Sequence, residues 1–257
     1  DPEDGHRWDG MVFRPRTGPA ERRRVGVLVV HGSVGNYLTG VPRRVSFGLA
    51  NAGYTVLSAN TRMANYGVIF GTGLMHRTPL DIEAALAVQR RPPDVVGICT
   101  LAHPASLPDA LRLRWDHFGA DPGYEEVTAL TRERIGPDFE KSDRDRIFLV
   151  RRARGRGVRP VDCEVWTHRT WWFSRGPEAS HAISRLQVGE IDVPFALIQA
   201  GEDELVRQAE GPELEALARQ GGCPSVMRHT IAGADHVFSG LDAPLIETIV
   251  DWLDRRL

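Results

Sequence analysis

Val25-Gly-Val-Leu-Val-Val-His31-Gly32-Ser33-Val34-Gly35-Asn36 is the stretch from which the rest of the chain is read. Its first six positions hold five apolar residues and one glycine. So uniform an apolar run, without polar alternation, predicts a parallel strand covered on both faces. A turn rich in glycine follows, and glycine lets backbone approach a neighbour or ligand without a Cβ clash. Strand, then glycine turn, then helix is the opening of an α/β sheet.

Working outward, Pro42–Ala52 reads as a helix closed by Gly53, a usual C-terminal glycine. Tyr54–Ala59 is a second buried strand, and residues 6–15 suggest an early hairpin strand. Thr78 as N-cap with Pro79 at the first helical position starts a helix that runs to about Gln89. Val95–Ala102, Phe195–Ala200 and Val226–Ile231 are further strands, and Pro244–Leu253 is a closing helix. Alternating strands and helices predict an α/β fold with a doubly wound, mostly parallel sheet. The five strands at 25–30, 54–59, 95–102, 195–200 and 226–231 are expected in that one sheet. Three segments follow: residues 1–104 and 191–257 as the two parts of the core, and 105–190 as an insertion between them. The insertion has helical stretches at Pro108–Phe118 and Tyr124–Ile135, then the aromatic cluster Trp171-Trp172-Phe173.

Composition narrows the function. The 257 residues are 42% hydrophobic and 26% charged with net charge −2, so nothing favours nucleic acid or an anionic membrane as partner. Lys141 is the only lysine and lies in a charged run, which disfavours Schiff-base chemistry. Cys99, Cys163 and Cys223 are widely spaced with no CxxC, which argues against zinc and predicts a reducing, cytoplasmic setting. There is no apolar run of 18 residues to span a bilayer. The first residue is Asp1 rather than methionine, which predicts that leading residues have been removed or left out. Oligomeric state has no signature in the sequence.

Three motifs carry chemistry. The His31–Gly35 turn can aim a backbone N–H at a developing oxyanion, Ser33 fitting a backbone donor better than a nucleophile, or can be a tight strand-to-helix turn. Its spacing lacks GxGxxG, and Asn60-Thr61-Arg62 stands where a dinucleotide site would place an acid. Gly201-Glu202-Asp203-Glu204 ends a strand on acids, of which Asp203 best fits an imidazole-orienting role. Gly233-Ala234-Asp235-His236 follows the last strand and offers His236 as general base. Asp235 is a weaker orienter, being its sequence neighbour. Arg62, Asn65 and Tyr66 lie past a strand's C-terminal end, where such sheets bind ligands. Arg62 could hold a substrate carboxylate, although a structural ion pair is the commoner role. Trp171, Trp172 and Phe173 could line an acyl pocket or form the insertion's own core. His103, His168 and His181 lack partner spacing.

The chain is short in one place. Only Arg90-Arg91-Pro92-Pro93-Asp94 separates the helix ending near Gln89 from the strand starting at Val95, and no Gly-x-Ser-x-Gly occurs anywhere. Taken in order, the His31-Gly32…Gly35-Asn36 loop, Gly201-Glu202-Asp203 and Gly233-Ala234-Asp235-His236 resemble the α/β-hydrolase superfamily, where the order is serine, acid, histidine. The nearest likeness is to bacterial acyl esterases and dienelactone-hydrolase-like enzymes, over residues 6–104 and 191–257. The resemblance implies Asp203 as acid, His236 as base, and Ser33 and Val34 as the oxyanion loop. It further implies a small acyl substrate, an ester or thioester, no cofactor or metal, and a lid in the insertion. It also implies a nucleophile strand and serine between Gln89 and Val95, parts that need roughly 20–30 residues.

Three explanations fit the shortfall: a segment omitted from the sequence, a true deletion, or Val95–Ala102 serving as the nucleophile strand. The last is weakest, since Leu101-Ala-His103-Pro104-Ala has no hydroxyl or thiol at the turn. A deletion would leave apolar neighbours unpaired, so omission is favoured. The two functional alternatives are a serine hydrolase and a degenerate hydrolase fold that binds or performs non-hydrolytic catalysis.

Overall fold

The computed structural model describes residues 3–7, 9–33, 35–64, 71–87, 95–135, 147–153 and 161–256. The first part of the core holds β1 (Gly10–Phe13), β2 (Gly26–Val30), α1 (Gly40–Asn51), β3 (Thr55–Ala59) and α2 (Thr78–Leu86). β2 and β3 are parallel, in the register Gly26↔Thr55 to Val30↔Ala59. β1 pairs antiparallel with β3 rather than forming a hairpin with β2, its neighbour in sequence. Gly53 takes φ +108° just after α1, the turn that glycine was expected to supply. Thr78 begins α2 but does not cap it; Arg77 holds the cap position without a side-chain bond.

The second part holds β4 (Ile98–Leu101), β8 (Phe195–Ala200), α6 (Glu210–Gln220), β9 (Val226–Ile231) and α7 (Asp242–Asp254). β4, β8 and β9 are parallel, with β8 in the middle. Every residue of β8 is buried, because successive side chains feed two different cores. Phe195 and Leu197 pack with Leu214 and Ala218 of α6. Ile198 and Ala200 pack with Val45 and Leu49 of α1, Val56 of β3, and Leu245 and Ile249 of α7. This is the doubly wound arrangement: helices on both faces of a parallel sheet.

The single sheet expected from sequence is instead two ladders of three strands, β1-β3-β2 and β4-β8-β9. Among the described residues no backbone pairing joins β2 to β4. The seam leaves apolar side chains in the open: Val30 and Ile98 are each 38% exposed, Val95 44% and Val96 54%. Of the predicted 95–102 strand, residues 98–101 stand in a ladder among the described residues. The proposed nucleophile segment between Gln89 and Val95 lies outside the described residues.

Helices bridge the seam. α1 and α7 approach so closely at Gly48 that a Cβ there would sit 2.5 Å from Ile246. At the far end of α7, Asp254 accepts from Arg22 Nε at 2.9 Å and from the Tyr54 hydroxyl at 2.6 Å, tying the last helix to the first part of the core.

The insertion builds its own unit from α3 (Leu107–Phe118), α4 (Tyr124–Ile135), α5 (His168–Arg175) and an antiparallel sheet of β5 (Ala120–Asp121), β6 (Ile147–Ala153) and β7 (Val161–Thr167). Its core gathers Leu111, Trp115, Tyr124, Val127, Trp166, Trp171 and Trp172 around Met63 of the main part. Ser106 caps α3 by accepting from the Asp109 N–H at 3.2 Å, and Thr167 caps α5 through Thr170 N at 3.1 Å. Among the described residues no helix is long and apolar enough to cross a membrane.

Candidate active site

The register of β8 and β9 brings acid and histidine together. Ala200 pairs with Ile231, and the pairing continues into the turns: Gly201 N donates to Ile231 O at 2.9 Å and Glu202 N to Ala234 O at 2.8 Å. Asp203 and His236 then face each other, Nδ1 donating at 3.0 Å to Oδ2 and 3.1 Å to Oδ1. The carboxylate is anchored from behind, because Oδ1 also accepts from Leu205 N at 2.8 Å and Val206 N at 2.9 Å. Its side chain is 2% exposed, whereas that of His236 is 30% exposed. An ionised carboxylate only accepts, so the shared proton sits on Nδ1. In the neutral ring Nε2 then carries the lone pair that a general base needs, and it meets no partner among the described residues. Asp235 is turned away and caps its own loop, accepting from Ser239 N at 2.8 Å.

The loop after β2 is built on His31. Its Nδ1 donates to Gly32 O at 2.6 Å and its Nε2 accepts from Thr61 N at 3.0 Å, linking the ends of β2 and β3. Burial holds its pKa below the ordinary histidine value, so the ring is neutral and structural near pH 7. Gly35 N donates to Gly32 O at 3.0 Å and closes the turn. The Ser33 N–H meets no acceptor among the described residues, while the Ser33 hydroxyl accepts from Arg175 Nη2. Val34 lies outside the described residues. Arg44, in the first turns of α1, donates to Phe238 O at 3.1 Å and to Val237 O, which docks this loop's helix against the loop carrying His236. Phe238 is fully buried there at φ +53°.

Arg62 does not face a site. Its Nε and Nη2 donate to Asp81 at 3.0 and 2.8 Å and its Nη1 to Asp4 at 2.7 Å, and it is 3% exposed. It is the structural ion pair that sequence reasoning held as the commoner role. Trp171 and Trp172 belong to the insertion's core, and Phe173 stacks on His76 with ring centroids 4.4 Å apart. Asn65 and Tyr66 lie outside the described residues. His103 Nε2 lies 2.5 Å from Ser184 Oγ, and His168 Nδ1 lies 2.9 Å from Thr131 Oγ1. His181 lies beside His76, ring centroids 6.0 Å apart. Burial pushes the Cys99 thiol up to about 12, far from a thiolate nucleophile. Among the described residues no group of three or more His, Cys, Asp or Glu could hold a metal.

Sequence reasoning missed Arg44 and Arg175. Arg175 ends a helix in the insertion, 142 residues from Ser33, and nothing local distinguishes it among the arginines of the chain.

No family model and no curated protein matches the sequence. Solved structures do match, nearly end to end. Est1E from Butyrivibrio proteoclasticus has a TM-score of 0.59 at 13% identity, covering 98% of this chain and 96% of that one. The monoacylglycerol lipase of Paleococcus ferrophilus has a TM-score of 0.62 at 10% identity, covering 98% and 100%. A metagenome-derived lipolytic enzyme has a TM-score of 0.57 at 18% identity, covering 96% and 97%. The fold is that of the α/β-hydrolases.

Proposed function

We propose that the protein is an acyl hydrolase acting on a small ester or thioester, in which His236 deprotonates a serine and Asp203 holds His236. The observation that carries this reading is the Asp203–His236 pair, with Nδ1 on an anchored carboxylate and Nε2 unoccupied. In the reaction, Nε2 takes the proton of the attacking hydroxyl, and Asp203 stabilises the imidazolium that forms. The tetrahedral oxyanion is received by backbone N–H groups of the Ser33–Val34 turn, and Nε2 then returns its proton to the leaving group. Esterases and lipases among the structural neighbours fit the same class.

The serine belongs to a segment between Gln89 and Val95 that the 257 residues do not contain. The unpaired, exposed edges of β2 and β4 support a strand at that place. The insertion covers the site as a lid, and the enzyme works in the cytoplasm without metal or cofactor.

A fluorophosphonate probe tests this on the protein purified from its own cell, with the intact mass measured beside it. The expected result is one labelled serine, with labelling lost in His236→Ala and suppressed by an ester competitor. An unlabelled protein with an intact mass of 28.5 kDa would sink the hydrolase reading in favour of a degenerate fold.

A further inference from the structure

Arg175 is 7% exposed, yet no carboxylate among the described residues forms an ion pair with it. Its Nη1 donates to Ser174 O at 3.0 Å and its Nη2 to the Ser33 hydroxyl. A guanidinium presents five N–H donors in a rigid fork. The remaining ones meet no protein acceptor among the described residues. Its Cζ lies over the Trp166 ring, 5.5 Å from the centroid, a cation–π contact. Glu164, whose charge Arg175 feels, is already shared: it lies 3.6 Å from Arg114 and accepts from Trp166 Nε1 at 3.2 Å. Tyr124 donates its hydroxyl to the Arg175 backbone carbonyl at 2.6 Å.

A buried charge without a counter-ion is costly unless something anionic completes it. Burial already draws the guanidinium down to about 10, with Glu164 only partly opposing. The other buried arginine of the core, Arg62, shows how this chain satisfies such a group when its role is structural: two carboxylates close on it. Arg175 has instead a neutral hydroxyl from the loop that would hold the oxyanion.

We infer that Arg175 is a specificity residue that binds a carboxylate on the substrate, so that the site takes acyl compounds bearing a free acid, such as half-esters of dicarboxylic acids. This rests on the acyl-hydrolase reading for the substrate's ester, but the anion site is measurable by binding alone. The fork of a guanidinium matches a carboxylate by two parallel hydrogen bonds, which Lys or a neutral donor cannot reproduce. The hydroxyl of Ser33 fixes one edge of that fork, and the Ser33 N–H lies within the same residue. Recognition of the acid and reception of the oxyanion are thereby mounted on one turn.

Calorimetric titration of the full chain with monomethyl succinate and with dimethyl succinate tests it. The two probes differ by one methyl group and one negative charge. The half-ester should bind at least about tenfold more tightly than the diester, the scale of a charge-assisted pair. Arg175→Met should abolish that preference, and Arg175→Lys should retain part of it as a point charge. Equal affinity for the two probes in the unaltered protein overturns the inference, as does failure of both to bind. A preference that survives in a folded Arg175→Met overturns it too. The comparison of the two probes needs no variant, so a misfolded Arg175→Met leaves the outcome decided. A chain that prefers the half-ester but resists fluorophosphonate keeps the anion site and loses the hydrolase. A labelled chain without the preference does the reverse.

Discussion

β8 has a hydrogen-bonded parallel neighbour on each side and buries all its residues, whereas β2 has, among the described residues, only β3 beside it and leaves Val30 38% exposed. Both are short, apolar and parallel. A strand meant to stand at a sheet's edge usually carries a lysine, a proline, a bulge or an inward charge. Gly26-Val-Leu-Val-Val30 and Ile98-Cys-Thr-Leu101 carry none of these. Their composition suits strands with neighbours on both sides, and the difference from β8 lies in what stands next to them. The acid and the histidine sit on the complete ladder. The His31–Gly35 turn sits on the incomplete one.

The largest expected effect separates those two halves in function. Asp203→Asn should lower turnover by about 10⁴-fold, because an amide holds the wrong imidazole tautomer. Stability should change by less than about 1 kcal/mol, since the Asn oxygen can still accept from Leu205 N and Val206 N. Steady-state kinetics and urea unfolding on the same preparation check both numbers. Unchanged turnover would detach Asp203 from the chemistry.

The next effect separates the halves in packing. Ile198→Ala, inside β8, should cost about 2–5 kcal/mol, the range for truncation in a closed core. Val30→Ala at the seam should cost less than about 1 kcal/mol, because little apolar surface is withdrawn from water there. Equal losses would mean that the seam is as sealed as β8.

The smallest effect concerns protons. His103, at the end of β4, is held down at about 4 by burial. In the unfolded chain its pKa is about 6.5, so between those values the unfolded state binds more protons. The contribution is thus complete above about pH 6.5 and is lost as the pH falls towards 4, at no more than about 1.4 kcal/mol per pH unit. His103→Gln should flatten the acid side of the stability profile measured by denaturant midpoints. An unaltered slope would place the effect elsewhere, with His31 as the next candidate, since burial lowers it in the same sense.

Much of the fold was legible in the sequence because most core strands are apolar runs, β9 with its exposed Arg228-His229-Thr230 excepted. Phe195–Ala200 and Val226–Ile231 stand where the reading put them, residue for residue. Position along the chain also selected Asp203 and His236, since acids and histidines just past parallel strands fall on one edge of a sheet. Pairing was less legible. β1 chose β3 over β2, and the break between β2 and β4 is a fact about neighbours, which no single strand encodes. Arg175 was illegible for a related reason: its partner, Ser33, is brought to it only by the docking of the insertion on the core. The roles of Trp171 and Trp172 were open in the sequence because an aromatic cluster reads alike in a pocket and in a small core.

The close pass of α1 over α7 at Gly48 sets the breadth of the site. No strand ladder among the described residues fixes the turn after β2 relative to the turn after β9. That spacing is instead carried by α1 and α7, with Arg44 bridging from one helix's first turns to the carbonyls of Val237 and Phe238. A methyl group at position 48 would meet the Ile246 side chain, so that either this side chain or the two helices must give. Where the helices give, His236 and the Ser33 turn shift relative to each other with every strand register kept. The spacing of the two turns is therefore set like a calliper, by the thickness of one side chain between two helices.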